Sequence, residues 1–129
     1  MKWTRLLSCK RLGIKSEVPL SVGRSEFQRD FDRIAFSSSF RRLQDKTQVV
    51  PLPASDFVRT RLTHSLEVSS VGRSLGMEVG EHIFPNDYKK AADLGSIVAA
   101  ACIAHDLGNP PLGHSGEDAI QHWFMVGTG

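Results

Sequence analysis

The sequence predicts an all-α fold, and three features predict it. Apolar residues recur three and four positions apart, and no segment shows the strict alternation of a half-buried strand. Helix starts are marked by hydroxyl residues at capping-box spacing, Ser25 with Gln28 and Ser115 with Asp118. The breaks are built from Pro and Gly, at "PLPAS", "PNDYKK" and "LGNPP".

The 129 residues suffice for one domain with a modest core. Hydrophobic and charged fractions of 40% and 23% are those of an ordinary globular protein. No apolar run approaches the roughly 20 residues of a membrane span. The N-terminus lacks an apolar core, which argues against a secretory signal; its Arg/Lys-rich, acid-poor character is also that of a transit peptide, a weaker reading. Cys9 and Cys102 lie far apart, and the second sits in an apolar run, so neither a disulfide framework nor a zinc knuckle is expected. A reducing cytoplasm suits such thiols.

Residues 1–24 read as a basic arm. Lys2, Arg5, Lys10, Arg11, Lys15 and Arg24 stand against Glu17 alone, a net +5 that leaves −3 on the rest and +2 overall. Such an arm suits nucleic acid or a neighbouring subunit, a solvated tail being the plainer alternative.

From 25 to 129 the chain reads as one helical domain. "SEFQRDFDRIAF" forms a helix with Phe27, Phe31, Ile34 and Ala35 on one face. "SSSF" interrupts it, "RRLQDKTQVV" continues, and Pro51 and Pro53 make a loop. A long helix is expected from about Thr60 to about Phe84, with His64, Val68, Val71 and Leu75 on one apolar stripe. Gly72, Gly76 and Gly80 lower its intrinsic propensity, so close packing against a neighbour must hold it. A third helix is expected from about Lys89 to Asp106, with Leu94, Val98, Ala101 and His105 on one face. Gly108 can then take the left-handed conformation that ends it. The last helix is expected to open at Ser115 and run through "EDAIQHWFMV". Its Ile120, Trp123, Phe124 and Val126 need burial, which points to the front piece of a longer protein more than to a partner chain.

Two of these helices carry a histidine on the predicted apolar stripe. If they pack antiparallel, His64 near one start and His105 near the other end reach the same level, with Asp106 beside them. A buried carboxylate requires a cation, and the negative end of a helix dipole favours one there. Imidazole and carboxylate without thiolate suit manganese, iron, magnesium or zinc at an open site more than a structural zinc site. Three protein ligands leave positions for water and substrate.

"THS" at a helix start with a later "HD" resembles the HD-domain metal-dependent phosphohydrolases. Within them, "RTRLTHSLEVSSVGRSLG" and "HDLGNPPLGHSGEDAI" are similar to the deoxyguanosinetriphosphate triphosphohydrolases, as is "DFDRIAFSSSFRRLQDKTQV" upstream. The likeness spans roughly residues 24 to 124; "HD" alone is weak, whereas the ordered strings are specific. It implies an HD-type helical bundle, of which this chain is the N-terminal part. It also implies hydrolysis of dGTP, or another dNTP, to the deoxynucleoside and inorganic triphosphate.

Carried over position by position, the resemblance implies His64, His105 and Asp106 as metal ligands and Arg61 as a contact to the α-phosphate. Gln48 would read the deoxyribose, and Asn109 would line the same pocket. His114 and Glu117 match the pair assigned to the step at the α-phosphorus. The family also implies a divalent ion (Mn, Mg or Fe before Zn), a homo-oligomer, and a nucleotide or single-stranded DNA effector, with no membrane.

On this reading the prolines of "LGNPP" reverse the chain rigidly and return His114 toward the metal. The helix start at Ser115 and Gly116 offers free N–H groups to phosphate. Glu117 would orient His114, which then moves a proton or attacks directly; the residues leave both routes open. Arg41, Arg42 and Lys46 are further candidates for the triphosphate's charge, with a solvated face as the alternative. His82 and His122 have no expected role, and Met77 and Trp123 read as core or interface. The family's fourth ligand, an aspartate far downstream, and most of its nucleobase contacts are absent here. Leu112 stands where phenylalanine is usual, with only packing expected to change. The competing readings are another HD phosphohydrolase, acting on a nucleoside monophosphate or cyclic diester, and an inactive nucleotide- or DNA-binding module.

Overall fold

The computed structural model describes residues 3–13, 23–46, 60–110 and 112–127, all helix or connection, with no strand among them. The elements are α1 (Trp3–Leu6), α2 (Glu26–Ala35), α3 (Ser38–Arg41) running into a 3-10 turn (Arg42–Asp45), α4 (Arg61–Ile83), α5 (Tyr88–Ala104) and α6 (His114–Val126). None of these helices is long and apolar enough to cross a membrane.

Caps set the starts. Ser25 accepts from the Gln28 N–H at 3.2 Å, Ser37 from Phe40 at 3.2 Å, Thr60 from Thr63 at 3.3 Å and Asp87 from Lys90 at 3.1 Å. The α2 face is the one the sequence predicts, Phe27 buried and Phe31, Ile34 and Ala35 packed inward. Glu26, also buried, is held by Arg29 at 2.8 Å. The N-terminal arm folds back in part, Arg11 and Arg24 pairing with Asp30 and Asp32 of α2 at 2.6 and 2.7 Å.

The antiparallel pair of α4 and α5 is the largest packing unit. Its contact face corrects the predicted stripes. On α4 the buried residues are Ser65, Ser69, Gly72, Gly76 and Gly80, while Val71 and Leu75 are 60% and 56% exposed. On α5 they are Ala91, Gly95, Ser96, Ala99 and Ile103, while Ala101 and His105 are exposed. The physical reason is backbone approach. A Cβ on Gly76 would stand 3.0 Å from the Gly95 Cα, and one on Gly80 would stand 2.7 Å from the Ala91 Cα. Ser69 completes the seam by donating its hydroxyl to the Ala99 carbonyl at 2.9 Å.

The large apolar side chains gather at one end of this hairpin. Phe40, Leu43 and Ile103 form a buried cluster, with Phe31, Ile34, Ala35, Leu62 and Leu107 against it. Each fully buried side chain of this kind contributes about 1.5–3 kcal/mol. Leu62 and Ile103 each lie two residues before a site histidine, so the core fixes the backbone that carries His64 and His105.

The sequence expectation is corrected at the break "SSSF", whose Ser38, Ser39 and Phe40 lie inside α3, and at two helix ends. α5 ends at Ala104 with His105 as its C-cap, so Asp106 lies in the following turn, and Gly108 takes φ +82° as expected. α6 opens at His114, one residue early, with Gly113 at φ +57° as its N-cap. Ser115 therefore lies inside the first turn, and the Ser115–Asp118 capping box does not form. Leu112 takes a left-handed φ of +70° and is exposed, so it packs little here.

Candidate metal centre

The hairpin brings His64 and His105 together across the α4–α5 seam. Their rings lie 5.3 Å apart between centroids at an interplanar angle of 72°. Ligand-capable atoms of His64, His105 and Asp106 all lie within 4.8 Å of one another. Bonds of about 2.0–2.2 Å to a first-row ion put neighbouring ligand atoms about 3.0–3.6 Å apart, so the side chains would close in by roughly 1 Å around it.

The chemistry of the donors fits a cation. His105 Nδ1 lies 2.7 Å from the Cys102 carbonyl, which can only accept, so Nδ1 carries the proton. In the neutral ring Nε2 then presents its lone pair, 3.5 Å from Asp106 Oδ2. That oxygen is buried and has no hydrogen-bond partner. A buried carboxylate oxygen that faces another acceptor, here on the solvent-exposed His105 ring, is costly unless something positive lies beside it. The His105–carbonyl contact is also the kind of support that fixes a metal-ligating imidazole.

Asp106 Oδ1 is differently placed. Asn109 Nδ2 donates to it at 2.7 Å, and Arg61 Nη1 lies 3.3 Å away. Arg61, in the first turn of α4, thus pairs with the aspartate and is largely buried. A Cβ on Gly113 would lie 4.0 Å from Arg61 Nη2, which brings the start of α6 to the same place.

Of the residues singled out in the sequence, the structure gathers His64, His105, Asp106, Arg61 and Asn109. Glu117 lies exposed in the first turn of α6. His114 opens α6 through its backbone; its side chain, like the whole of Gln48, lies outside the described residues. Arg41, Arg42 and Lys46 are exposed on and beside the 3-10 turn. The Cys102 carbonyl and the double claim on Asp106 Oδ1 were not legible in advance. An i, i+3 backbone acceptor leaves no mark in side-chain identities.

Helices in antiparallel contact that offer two histidines and an aspartate at one end define a class of metal-dependent helical domains. The HD domain family matches residues 61–127, more than half of the chain and all of this centre, and the chain belongs to that family. Over its whole length it is 54% identical to a deoxyguanosinetriphosphate triphosphohydrolase-like protein of Pseudomonas aeruginosa. It is 56% identical over 128 residues, 97% of its length, to the protein of that name from Synechocystis sp.. A deoxyguanosinetriphosphate triphosphohydrolase of Yersinia enterocolitica is 49% identical over 106 residues, 76% of this chain and 21% of that protein. The chain spans 30% and 29% of the length of the first two relatives.

Proposed function

We propose that this chain supplies the metal-binding part of a deoxynucleoside triphosphate triphosphohydrolase, which cleaves dGTP or another dNTP to the deoxynucleoside and inorganic triphosphate. The observation that carries the reading is the buried, donor-less Oδ2 of Asp106 beside the two imidazoles. His64, His105 and Asp106 would hold a divalent ion, with manganese, magnesium or iron suited to the donor set. Bound there, the ion acts as a Lewis acid on the phosphoryl group and lowers the pKa of a bound water.

The chain's own residues do the rest. Arg61 neutralises Asp106 and, having a second guanidinium edge, offers bidentate donors to a phosphate. The first N–H groups of α6, next to Arg61 Nη2, favour the same anion. His114, opening that helix, is the residue we assign to move a proton or to attack at the α-phosphorus, and Glu117 orients it. Gln48 and Asn109 lie on the sugar side in this reading. Water adds to phosphorus, the bond to the 5′ oxygen breaks, and that oxygen takes the proton.

The substrate, oligomeric assembly, cytoplasmic setting and any nucleotide or DNA effector belong to this proposal through the relatives' names and the family resemblance. The test exchanges this chain for the matching segment of the Yersinia enterocolitica protein and assays the chimera with dGTP and Mn²⁺. Inorganic triphosphate is the expected product. Orthophosphate release would favour a different HD phosphohydrolase, and metal-independent nucleotide binding without turnover would favour a binding module.

A further inference from the structure

We infer that Asn109 is a positioning residue for the metal ligand Asp106, its side-chain amide turning the carboxylate so that Oδ2 is the oxygen presented to the ion. This deepens the metal-centre reading and rests on it. The two carboxylate oxygens are chemically equivalent until their surroundings separate them. Oδ1 receives the Asn109 amide at 2.7 Å and the Arg61 guanidinium at 3.3 Å, while Oδ2 receives no donor and faces His105 Nε2. Rotating the carboxylate would give up the short amide bond, so the amide holds the bare oxygen toward the histidines.

The local sequence is built for that contact. Gly108 at φ +82° lets the chain fold back immediately after Leu107, whose N–H bonds the Ala104 carbonyl at 3.0 Å. Pro110 then restricts Asn109 to extended backbone, which limits the places its amide can reach. Asn109 falls three residues after Asp106 and is only partly exposed, as a support for a buried carboxylate requires. Arg61 makes the longer of the two contacts and carries a charge that phosphate can attract. Asn109 is neutral and makes the shorter contact, so it keeps Asp106 oriented whether or not Arg61 remains.

The experiment measures Mn²⁺ binding to the 129-residue chain by electron paramagnetic resonance, with Co²⁺ absorption as a reporter of coordination geometry. Loss of an outer-shell support weakens metal by about 10–100-fold. We therefore expect Asn109→Ala to lose that much Mn²⁺ affinity and to shift the Co²⁺ spectrum. Asn109→Gln, which keeps the amide, is expected to retain affinity within a few-fold. Unchanged Mn²⁺ affinity in a folded Asn109→Ala chain overturns the inference. Absence of Mn²⁺ binding by the unsubstituted chain instead fails the metal-centre reading beneath it. The unsubstituted chain gives a second measurement, independent of how either variant folds. With Mg²⁺ bound, the Asn109 side-chain amide protons should resonate downfield and exchange slowly, and a solvent-like amide signal also overturns the inference.

Discussion

At the scale of single residues, the proposed function assigns holding to one histidine and reacting to another. His64 lies on the seam beside His105, the two rings 5.3 Å apart. Replacing it with Ala should lower Mn²⁺ affinity by more than the roughly 10–100-fold typical of an outer-shell loss, while helicity stays near that of the unsubstituted chain. His114→Ala should leave Mn²⁺ affinity intact and, in the chimera, lower triphosphate release by about 10²–10⁴-fold. Isothermal titration and product assay on both variants make the comparison, and equal metal loss in the two would refute the division. The gathering of His64, His105 and Asp106 was legible because ligand chemistry restricts which residue types can serve. The orientation of Asp106 was not, because the Asn109 amide reaches it only through a turn set by one glycine's φ. A second residue-level consequence concerns Asp87. The Lys90 ammonium at 2.7 Å, and then the Lys90 N–H at 3.1 Å, hold its carboxyl below the ordinary aspartate value of 3.8. Its folded-state value being lowered, the cap's contribution is complete above the ordinary value and disappears as pH falls through the lowered one. Thermal melts should show Asp87→Asn less stable than the unsubstituted chain at pH 6, with the gap closing toward pH 3.

At the scale of elements, α4 and α5 show why apolar periodicity misplaced the contact face. A seam of glycine, serine and alanine has almost no hydrophobic signal, and the larger Val71, Leu75 and Val79 lie on the outside. The glycines themselves did carry the information, since Gly72, Gly76 and Gly80 recur at one-turn spacing and had to be stabilised by something outside the helix. The identity of that face is therefore a stability prediction. An exposed helical Gly→Ala change gains about 0.5–1 kcal/mol. At Gly80 the new methyl would meet the Ala91 backbone at 2.7 Å, and forced repacking costs about 1–3 kcal/mol. Gly80→Ala should thus lower the unfolding free energy, read as an earlier urea midpoint with unchanged slope. An increase would mean that the helices can separate freely. α6 failed differently: the hydroxyl of Ser115 suggested a cap, but the left-handed Gly113 turns the chain one residue sooner.

At the scale of the whole molecule, the core and the candidate metal centre are one construction. Phe40, Leu43 and Ile103 pack at the end of the hairpin where Leu62 and Leu107 also lie, and His64, His105 and Asp106 issue from the same stretch. An ion held there joins the start of α4 to the end of α5, groups that are independent in the unfolded chain. Binding to the folded state alone stabilises it by about 2.7 kcal/mol when free metal is 100 times its dissociation constant. For a chain of this size that corresponds to a rise in Tm of about 10 °C. The rise should follow the logarithm of Mn²⁺ concentration, reverse with a chelator and vanish in His64→Ala. Hydrogen exchange should localise it: amides around Arg61–Ser65 and Cys102–Leu107 should gain protection. The distal part of α6, whose Trp123, Phe124 and Met125 are exposed, should gain little. Calorimetric scans across a Mn²⁺ series decide the matter. A Tm indifferent to metal would mean that the triangle of ligands does not close, and that the two helix ends are joined by side-chain packing alone.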